Sequence, residues 1–362
     1  MVAEFYIFFA ICHGKRTTFE KFHDFGILPV SGSPDKVFAM KKRILGKTGL
    51  AVSEIGFGSW GIGRSLWVGA KDSESLRALN RAVDLGLNFI DTALGYGEGH
   101  SERLVGQVVR SRSESIYVST KVPPKNRQWP ARDDVSVTET FPGDYIVSRT
   151  ESSLKNLGRE RIDIQQLHVW SDRWVTQGDW LEAIEKLKRE GKIRFFGISI
   201  NDHQPENAIR LIESGLVDTV QVIYNIFDQT PEDRLFEVVQ KHNVGVIVRV
   251  PFDEGGLTGK ITPQTSFPEG DFRNRYFREN RKSQVFDRVN AIQEDLGIES
   301  EDMAQTALRF VLSHPAVSTV IPGMRSVDHA EKNCGVGEGK GLPASLVEKL
   351  HAHRWNRNFY SP

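Results

Sequence analysis

The sequence contains little cysteine and no excess of charge of either sign. Only two cysteines, Cys12 and Cys334, occur in 362 residues, so neither a disulfide framework nor a structural zinc site with its usual four or so ligands is expected. The 47 basic and 47 acidic residues balance, so no net field draws the chain to nucleic acid or anionic lipid. We therefore expect small-molecule partners and a reducing, cytoplasmic location.

Long hydrophobic runs are also missing. The longest run near the amino terminus, FYIFFAIC from Phe5 to Cys12, is about half the ~20 residues that a membrane span requires. It follows Glu4 instead of a basic segment, and no small-residue cleavage site follows it, so neither a membrane anchor nor a signal peptide is predicted. Residues 1–39 show no continuous helical or strand period. We expect them to form a poorly ordered extension, with Met40 as a candidate initiator.

Short apolar segments rich in β-branched residues recur from Met40 onward and predict parallel strands that are covered on both faces. Eight such segments are VSEIGFG, NFIDTA, YVSTKV, IDIQQLHV, IRFFGISI, VQVIYN, GVIVRVPF and STVIPGM. Helical patterns such as SESLRALNRAVDLG and GDWLEAIEKLKREGK separate them and end in glycine. The alternation predicts a (β/α)₈ barrel of the TIM type over residues 40–362, a fold whose usual size is about 250 residues.

A doubly wound open sheet is the alternative fold. It is disfavoured because no complete GxGxxG motif follows a predicted strand. The segment GIGRSLWVG begins at Gly61 but has Leu66 where the third glycine belongs. The segment GVGEGKG resembles a phosphate-binding loop, but Cys334 stands where the first glycine should be. Neither segment is a nucleotide-binding motif of those classes.

Polar residues end three consecutive predicted strands, at the edge where barrel enzymes place their sites. Asp91 ends the second strand, Lys121 nearly ends the third and His168 nearly ends the fourth, while Tyr96 lies in a glycine-rich loop just after Asp91. Neighbouring strands are about 4.8 Å apart, so these side chains are expected within roughly 5 to 10 Å of one another. Each residue alone has an ordinary structural explanation. A lysine and an aspartate that both point into a barrel mouth must form an ion pair, however, because burying an unpaired charge is costly.

Together these four residue types suit proton transfer to an oxygen that is gaining negative charge. An ammonium group at Lys121 is expected to lower the pKa of Tyr96 from about 10, and Asp91 would keep that ammonium charged. A neutral His168 can donate a hydrogen bond to a carbonyl oxygen. A metal site formed by Asp91, His168 and Glu102 is the competing interpretation. The nearby lysine and the absence of a second strand-end histidine disfavour it, so no metal is predicted.

These residues, in this order and on these strands, resemble the aldo-keto reductase superfamily over residues 40–362. The resemblance is carried by NFIDTA, GYG, STKV and QLHVW. It implies a barrel that binds a nicotinamide cofactor without a Rossmann fold, and a catalytic tetrad of Asp91, Tyr96, Lys121 and His168. The segment RILGKTGLAVSEIGFGSWGIG is similar to the amino-terminal β-hairpin and first strand of the family.

The resemblance also assigns residues to the nicotinamide end of the cofactor. In the segment GISIN, Ile200 separates Ser199 from Asn201, so either of the two is a candidate ligand of the carboxamide group. Gln221 matches a further carboxamide ligand. Arg249 stands where many members have an aromatic residue that stacks on the nicotinamide, and a planar guanidinium can also stack. Its positive charge suits the neutral reduced ring, which favours the reduction direction.

Two glycine-containing segments resemble the parts of the family that hold the phosphates. In the first, residues 251–260, the implied pyrophosphate ligands are Gly256, Leu257, Gly259 and Lys260. In the second, residues 320–333, Gly323, Arg325 and Asn333 match the adenosine segment and His329 replaces its glutamine. Arg325 is placed to bind a 2′-phosphate, so NADP(H) is the expected cofactor.

Aromatic residues after three strands are expected to line an apolar substrate pocket. They are Trp60, Trp67, Trp170, Trp174 and Phe227. Residues 123–145 and 261–283 are predicted lids, and the tail 353–360 is a third candidate cover. The leading hypothesis is an NADPH-dependent reductase of aldehydes or ketones. The alternatives are an NAD(P)-dependent sugar or alcohol dehydrogenase and a noncatalytic cofactor-binding protein like channel-associated β subunits. The sequence indicates no oligomeric state.

Overall fold

The computed structural model describes residues 40–360, so the expectation of a poorly ordered extension over residues 1–39 lies outside the described residues. The described chain begins with an antiparallel hairpin of β1 (Lys42–Ile44) and β2 (Ala51–Ser53). Leu45, Leu50 and Val52 of this hairpin are buried in one cluster with residues of the barrel strands. The hairpin therefore covers the amino-terminal end of the barrel.

Eight parallel strands follow the hairpin and form one sheet. They are β3 (Phe57–Gly58), β4 (Phe89–Asp91), β5 (Tyr117–Val122), β6 (Ile162–Leu167), β7 (Ile193–Ser199), β8 (Thr219–Ile223), β9 (Gly245–Arg249) and β10 (Thr319–Val320). Each strand pairs with its neighbour in sequence, and isolated bridges from Ile55 to Val320 and from Gly58 to Gly323 join the first strand to the last. These bridges close the sheet, which confirms the predicted barrel and hairpin.

The first predicted strand, VSEIGFG, is divided between the hairpin and the barrel. Val52 and Ser53 belong to β2, whereas the barrel strand begins only at Phe57. Glu54 lies between the two, fully buried, and accepts a 3.0 Å hydrogen bond from Arg43 Nε. A continuous apolar run does not show where a chain leaves one sheet and enters another, so the sequence pattern missed this break.

Helices surround the barrel and pack their apolar faces on it. The helices are α1 (Asp72–Asp84), α2 (His100–Ser111), α3 (Val137–Thr140), α4 (Gly143–Leu157), α5 (Trp180–Arg189), α6 (Ile209–Glu213), α7 (Leu235–Lys241), α8 (Arg273–Tyr276), α9 (Arg281–Leu296), α10 (Met303–Ser313), α11 (Val327–Cys334) and α12 (Ala344–His351). In α5, Trp180, Ile184 and Leu187 are buried at helical spacing. Three basic residues in its last turn face the negative end of the helix dipole.

The strand register brings the candidate catalytic residues to one end of the barrel. Asp91 ends β4, Lys121 pairs with Gln166 across β5 and β6, and Ser199 pairs with Gln221 across β7 and β8. Asp91, Lys121, Gln166 and Ser199 lie at or next to the carboxyl ends of their strands, and Gln221 lies in the middle of β8. Within residues 40–360, no helix is long and apolar enough to cross a membrane.

Candidate active site

A buried ion pair between Lys121 and Asp91 forms the centre of the site. The Lys121 ammonium lies 2.5 Å from Asp91 Oδ2 and donates to the Thr92 carbonyl oxygen at 2.9 Å and to Tyr96 Oη at 3.3 Å. Lys121 is fully buried. Burial lowers its pKa, but the charges of Asp91 and Tyr96 outweigh burial and the pKa is raised. The lysine is therefore a fixed positive charge beside the tyrosine hydroxyl.

The second carboxylate oxygen of Asp91 binds two glutamine side chains. Asp91 Oδ1 accepts hydrogen bonds from Gln221 Nε2 at 2.8 Å and from Gln166 Nε2 at 3.3 Å. Both amides come from strands facing Asp91 across the barrel interior. Gln221, the expected carboxamide ligand, thus contacts the tetrad aspartate in this structure. Both oxygen atoms of this carboxylate, which is 2% exposed, are therefore bound, one by Lys121 and the other by two amides.

Tyr96 is aimed at Lys121 by a tight turn. The Tyr96 amide donates to the Ala93 carbonyl, and Gly97 follows in the left-handed region with a φ of 65°. A Cβ atom at Gly97 would lie 1.8 Å from the Gly63 carbonyl oxygen, so only glycine fits there. This close approach explains why the loop is rich in glycine.

The pKa of Tyr96 differs from the sequence-based expectation. Burial raises the pKa above 10, and the lowering effect of Lys121 is smaller than burial and the charge of Asp91 together. Lys121 does lower this pKa, as expected, but burial raises it by more, and the sequence does not reveal how deeply the phenol is buried. The phenol remains protonated at neutral pH, as a proton donor must be.

His168 follows β6 and lies beside the tyrosine. The two rings have centroids 5.7 Å apart at 72°, and the His168 amide donates to the Val122 carbonyl at 3.0 Å. Burial lowers the pKa of His168 well below 6.5, and the charges of Lys121 and Arg249 lower it further. The imidazole is thus neutral at physiological pH. Its Nδ1 atom is buried and has no hydrogen-bond partner among residues 40–360.

Aromatic residues from three segments form a wall next to Tyr96. Trp60 lies 6.3 Å from the Tyr96 ring, 5.8 Å from Trp67 and 5.3 Å from Phe272. Phe272 in turn stacks on Tyr360 at 6.0 Å. Two of the expected pocket residues, Trp60 and Trp67, therefore lie in this wall. We refer to Trp60, Trp67, Phe272 and Tyr360 as the aromatic wall.

The other three expected pocket residues are placed in the core. Trp170 and Trp174 are 0% and 1% exposed and pack edge to face with each other at 5.8 Å. Trp170 also packs on Trp180 at 5.2 Å. Phe227 is fully buried against Trp355 of the carboxyl-terminal tail at 5.5 Å. These rings have almost no accessible surface for a ligand, so they act in packing, and the pocket expectation for them is corrected.

Three residues near the candidate site were missed by the sequence analysis. Trp129 packs edge to face on His168, with ring centroids 4.6 Å apart, although it is 51% exposed. Phe272 and Tyr360 join the aromatic wall. All three lie in the predicted lids or tail. Of the three, only Trp129 could have been identified from the sequence, because it is an isolated tryptophan in an otherwise polar loop.

A cavity of about 790 Å³ lies outside this arrangement. Its lining includes Ala131, Asp172, His203 and Asp233, but none of the four tetrad candidates. This cavity therefore does not coincide with the candidate catalytic residues.

Ser199 and Asn201 differ in what their side chains already bind. The Asn201 amide oxygen accepts from the Ala131 amide at 3.1 Å, and its nitrogen donates to the Ala131 carbonyl at 3.0 Å and to Gln204 at 2.9 Å. The Ser199 hydroxyl, at the end of β7, has no hydrogen-bond partner within the described residues. Ser199 is therefore the better candidate for a cofactor contact, because Asn201 is occupied with the loop.

Arg249 ends β9 and is held by two oxygen atoms. Its Nη2 donates to the Ile200 carbonyl at 2.9 Å and to Asp202 Oδ1 at 2.7 Å. Burial lowers the pKa of Arg249, but Asp202 and Tyr360 outweigh burial, so the pKa is raised. The guanidinium is thus a permanent charge at the barrel mouth.

The loop after β9, the candidate pyrophosphate loop, has several residues in the left-handed region. Val250, Asp253 and Glu254 have φ values of 55°, 51° and 55°, and Gly259 has 73°. A side-chain hydrogen bond also holds the loop, because Asp253 Oδ1 accepts from Tyr276 Oη at 2.8 Å. The expected ligands Gly256 and Leu257 are buried in this loop, Gly259 closes it and Lys260 is exposed.

The amino terminus of α11 carries a group of basic side chains. Ser326 caps the helix by accepting from the His329 amide at 3.2 Å, and Arg325 Nη2 donates to the Val68 carbonyl at 2.6 Å. Burial and then the charge of Lys260 lower the pKa of His329, which places Lys260 near this helix end. Asn333 Nδ2 reaches the Gly323 carbonyl at 3.5 Å.

These residues fit a nicotinamide dinucleotide phosphate. A helix amino terminus with three basic side chains favours a phosphate group. A Cβ atom at exposed Gly323 or at Gly255 would meet nothing within 4 Å, so both glycines border open space that a ligand can approach. The unpaired Ser199 hydroxyl and the glycine-containing loop after β9 are further candidate contacts for such a cofactor, between the candidate tetrad and α11.

Among residues 40–360, no group of three or more His, Cys, Asp or Glu side chains is arranged to hold a metal ion. Glu102, the third residue of the metal alternative, accepts hydrogen bonds from Thr120 and Asn156 instead.

Comparison with known proteins identifies the family of the chain. The model of the aldo/keto reductase family matches residues 54–354. The glycerol dehydrogenase AKR11B4 from Gluconobacter oxydans is 26% identical, with a TM-score of 0.68, and the match covers 88% of this chain and 95% of that one. An aldo/keto reductase from Klebsiella pneumoniae, solved in complex with NADP and acetate, is 26% identical with a TM-score of 0.62 over 88% of this chain and 97% of that one.

Curated relatives are similar at the same level. The NADH-specific methylglyoxal reductase of Escherichia coli is 28% identical over 304 residues, which cover 81% of this chain and 92% of that protein. The relatives therefore share the fold and the class of chemistry but differ in the nicotinamide cofactor that their names record.

Proposed function

Because the chain belongs to the aldo/keto reductase family and is therefore an oxidoreductase, we propose that it reduces aldehydes or ketones with NADPH. The observation that carries the proposal is the contact of Lys121 with both Asp91 and Tyr96, beside a neutral His168. This arrangement holds a proton donor and a hydrogen-bond donor at the same barrel mouth.

NADPH, when bound, supplies the hydride. The neutral imidazole of His168 donates a hydrogen bond to the substrate carbonyl oxygen and orients it toward Tyr96. Tyr96 then gives its hydroxyl proton to that oxygen as negative charge develops there. Lys121 stabilises the resulting phenolate through its ammonium charge, and Asp91 holds the ammonium in place.

The cofactor would be held at both ends of a path across the barrel mouth. Ser199, Gln221 and Arg249 are the candidates at the nicotinamide end. The glycine loop after β9 offers backbone amides to the pyrophosphate. Arg325, with His329 and Lys260, would bind the 2′-phosphate, which supports NADPH over NADH. Asn333 is the candidate for the adenine side.

The substrate pocket would lie between the aromatic wall and Trp129. Trp60 packs beside Tyr96 and Trp129 packs on His168, and such aromatic side chains favour substrates with apolar groups beside the carbonyl. This predicts a small aldehyde or ketone as the substrate.

The test measures the oxidation of NADPH and of NADH with a panel of aldehydes and ketones. The readout is the decrease in the absorbance of the reduced nicotinamide. Wild type should oxidise NADPH, and Tyr96→Phe should lose about 10²-fold or more in kcat because the proton donor is gone. Tyr145→Phe, on α4, is a matched control that should keep wild-type turnover. Unchanged turnover in Tyr96→Phe would rule out the mechanism.

The reverse reaction is the second candidate, because a similar structure is named a glycerol dehydrogenase. The same assay with NADP⁺ or NAD⁺ and a panel of polyols and sugars distinguishes the two directions. Tight cofactor binding without turnover in either direction would instead indicate a noncatalytic cofactor-binding protein.

A further inference from the structure

A second polar cavity, of about 290 Å³, lies at the end of the barrel opposite the candidate active site. Its lining includes the starts of three strands, with Tyr117 on β5, Asp163 on β6 and Arg194 on β7. Lys121 lies at the other end of β5, and His168 follows the other end of β6. Four arginines line this cavity, which we call the arginine groove. They are Arg110, Arg159, Arg161 and Arg194.

The groove holds more positive charge than its carboxylates can balance. Only Asp163 and Glu114 contribute acidic side chains to the lining. Glu114 forms two hydrogen bonds of 2.6 and 3.1 Å with Arg112, a residue outside the lining that also donates to Asp84. Within the described residues, Asp163 is the only carboxylate that binds any of the four lining arginines. Clustered like charges repel one another unless an anion joins them.

Three of the four guanidinium groups are held in place. Buried Asp163 binds Arg159 Nη1 at 3.3 Å through one oxygen and Arg194 Nη1 at 3.2 Å through the other. Arg110 Nη1 donates to the Leu157 carbonyl at 2.6 Å. Arg161 is exposed and forms no ion pair in the part of the chain that the structure describes. The groove thus has fixed donors with unused N–H groups, together with one free arginine.

We propose that the arginine groove binds the phosphate group of a small phosphate ester. Guanidinium groups bind phosphate oxygens through paired N–H donors, and fixed donors lose less entropy on binding than mobile ones. The volume is slightly below the usual range of about 300 to 1,000 Å³ for small-molecule pockets, so the ligand is small. The balanced charge of the whole chain does not favour a long polyanion such as nucleic acid.

The inference does not depend on the proposed reductase function, because the groove shares no residue with the tetrad or with the candidate cofactor path. A ligand in the groove would not touch the reacting groups. Phosphate could also bind at Arg325, the candidate 2′-phosphate site of the cofactor. Experiments with phosphate must therefore distinguish binding at Arg325 from binding in the arginine groove.

The test is isothermal titration of inorganic phosphate into the full chain at constant ionic strength. Arg161 is the residue to change because it supports no described contact. Arg161→Glu should weaken binding at the groove at least tenfold, whereas Arg161→Lys should retain part of it. Arg210→Glu, another exposed arginine reversal on α6, is the control and should bind phosphate like wild type. An equal affinity in wild type and Arg161→Glu would overturn the proposal.

Location is tested separately with the Arg325→Ala variant and with crystals soaked in tungstate, whose scattering identifies the anion. Arg325→Ala should leave phosphate binding at the groove intact. In the crystals, tungstate should lie among the four arginines in wild type and be absent there in Arg161→Glu. Tungstate found only at the amino terminus of α11, or nowhere on the chain, would contradict the proposal.

Discussion

The side chain of Asn201 pairs with both backbone polar groups of Ala131, accepting from its amide and donating to its carbonyl. Ala131 lies two residues after Trp129, whose ring packs on His168. An asparagine at the end of a barrel strand therefore positions the loop that covers the candidate catalytic histidine. This relationship separates the role of Asn201 from that of Ser199.

Replacing these two residues should give opposite results. Asn201→Ala removes two hydrogen bonds to the loop, each worth about 1 kcal/mol, so KM for the carbonyl substrate should rise about tenfold with little change in NADPH affinity. Ser199→Ala should weaken NADPH binding and leave KM for the carbonyl substrate near wild type. Steady-state kinetics and cofactor fluorescence titration measure both. Loss of NADPH affinity in Asn201→Ala would show that Asn201 is the cofactor ligand.

The rate of reduction should depend little on pH across the neutral range. Burial raises the pKa of Tyr96 above 10, so the phenol keeps its proton, and burial lowers the pKa of His168 well below 6.5, so the imidazole stays neutral. We expect kcat/KM to be flat from about pH 6 to about pH 9. A bell-shaped profile centred near pH 7 would contradict these protonation states.

The negative charge of Asp91 raises the pKa values of both Tyr96 and Lys121. In Asp91→Asn this charge is gone, so both groups should lose their protons at lower pH than in wild type. The alkaline fall of kcat/KM should therefore move to lower pH, in addition to a lower maximum. Stopped-flow rates with a single aldehyde over the alkaline range measure the shift. If the maximal kcat/KM of Asp91→Asn is lower but its decrease at alkaline pH occurs at the same pH as in wild type, Asp91 acts only in positioning Lys121.

Arg325 is expected to distinguish NADPH from NADH. A charge-assisted contact with a 2′-phosphate contributes about 1.5 to 3 kcal/mol, so Arg325→Ala should weaken NADPH binding roughly 10- to 100-fold and NADH binding little. Titration of both cofactors into wild type and variant measures the change. Arg309→Ala, on α10, is a control arginine with a described ion pair elsewhere. An unchanged preference for NADPH would remove Arg325 from the phosphate site.

Glu254 should make stability depend on pH. Burial raises the pKa of this carboxyl from 4.5 to about 7, while Tyr360 Oη donates to it at 2.5 Å. The native state thus holds a proton that the unfolded state releases above its pKa of 4.5, so stability falls as pH rises from about 4.5 to about 7. The full loss corresponds to about 3 kcal/mol.

Glu254→Gln removes this dependence and keeps an oxygen for Tyr360. Relative to wild type, the variant should therefore gain about 3 kcal/mol in the free energy of unfolding above about pH 7 and almost nothing near pH 4.5. Urea denaturation at a series of pH values measures it, and exposed Glu237→Gln serves as the control. A difference between Glu254→Gln and wild type that does not change with pH would contradict the raised pKa.

The sequence predicted the barrel and the family because those depend on local patterns. Alternating apolar segments show eight strands, and the order of Asp91, Tyr96, Lys121 and His168 on three of them is visible without coordinates. Burial is not local, and this is why the direction of the Tyr96 pKa was missed. It is also why Trp170 and Trp174 were expected in the pocket. The local sequence around a tryptophan after a strand does not show whether its ring faces a ligand or the core.

Contacts between distant segments were equally out of reach. The pairing of Asn201 with Ala131 and the stacking of Tyr360 on Phe272 join residues that share no local pattern. Composition predicts lids over residues 123–145 and 261–283 and a covering tail over residues 353–360, and these stay predictions. The ring contacts that Trp129, Phe272 and Tyr360 make could not be predicted from composition.

The bridges that join Ile55 to Val320 and Gly58 to Gly323 also bear on how the chain folds. They pair strands from opposite ends of the described chain, and such distant pairings form slowly because loop closure must precede them. Until β10 is synthesised, β3 and β9 remain open sheet edges, which are sites of aggregation. During synthesis the nascent barrel therefore depends on its last strand, which spans only two residues, to cover both edges.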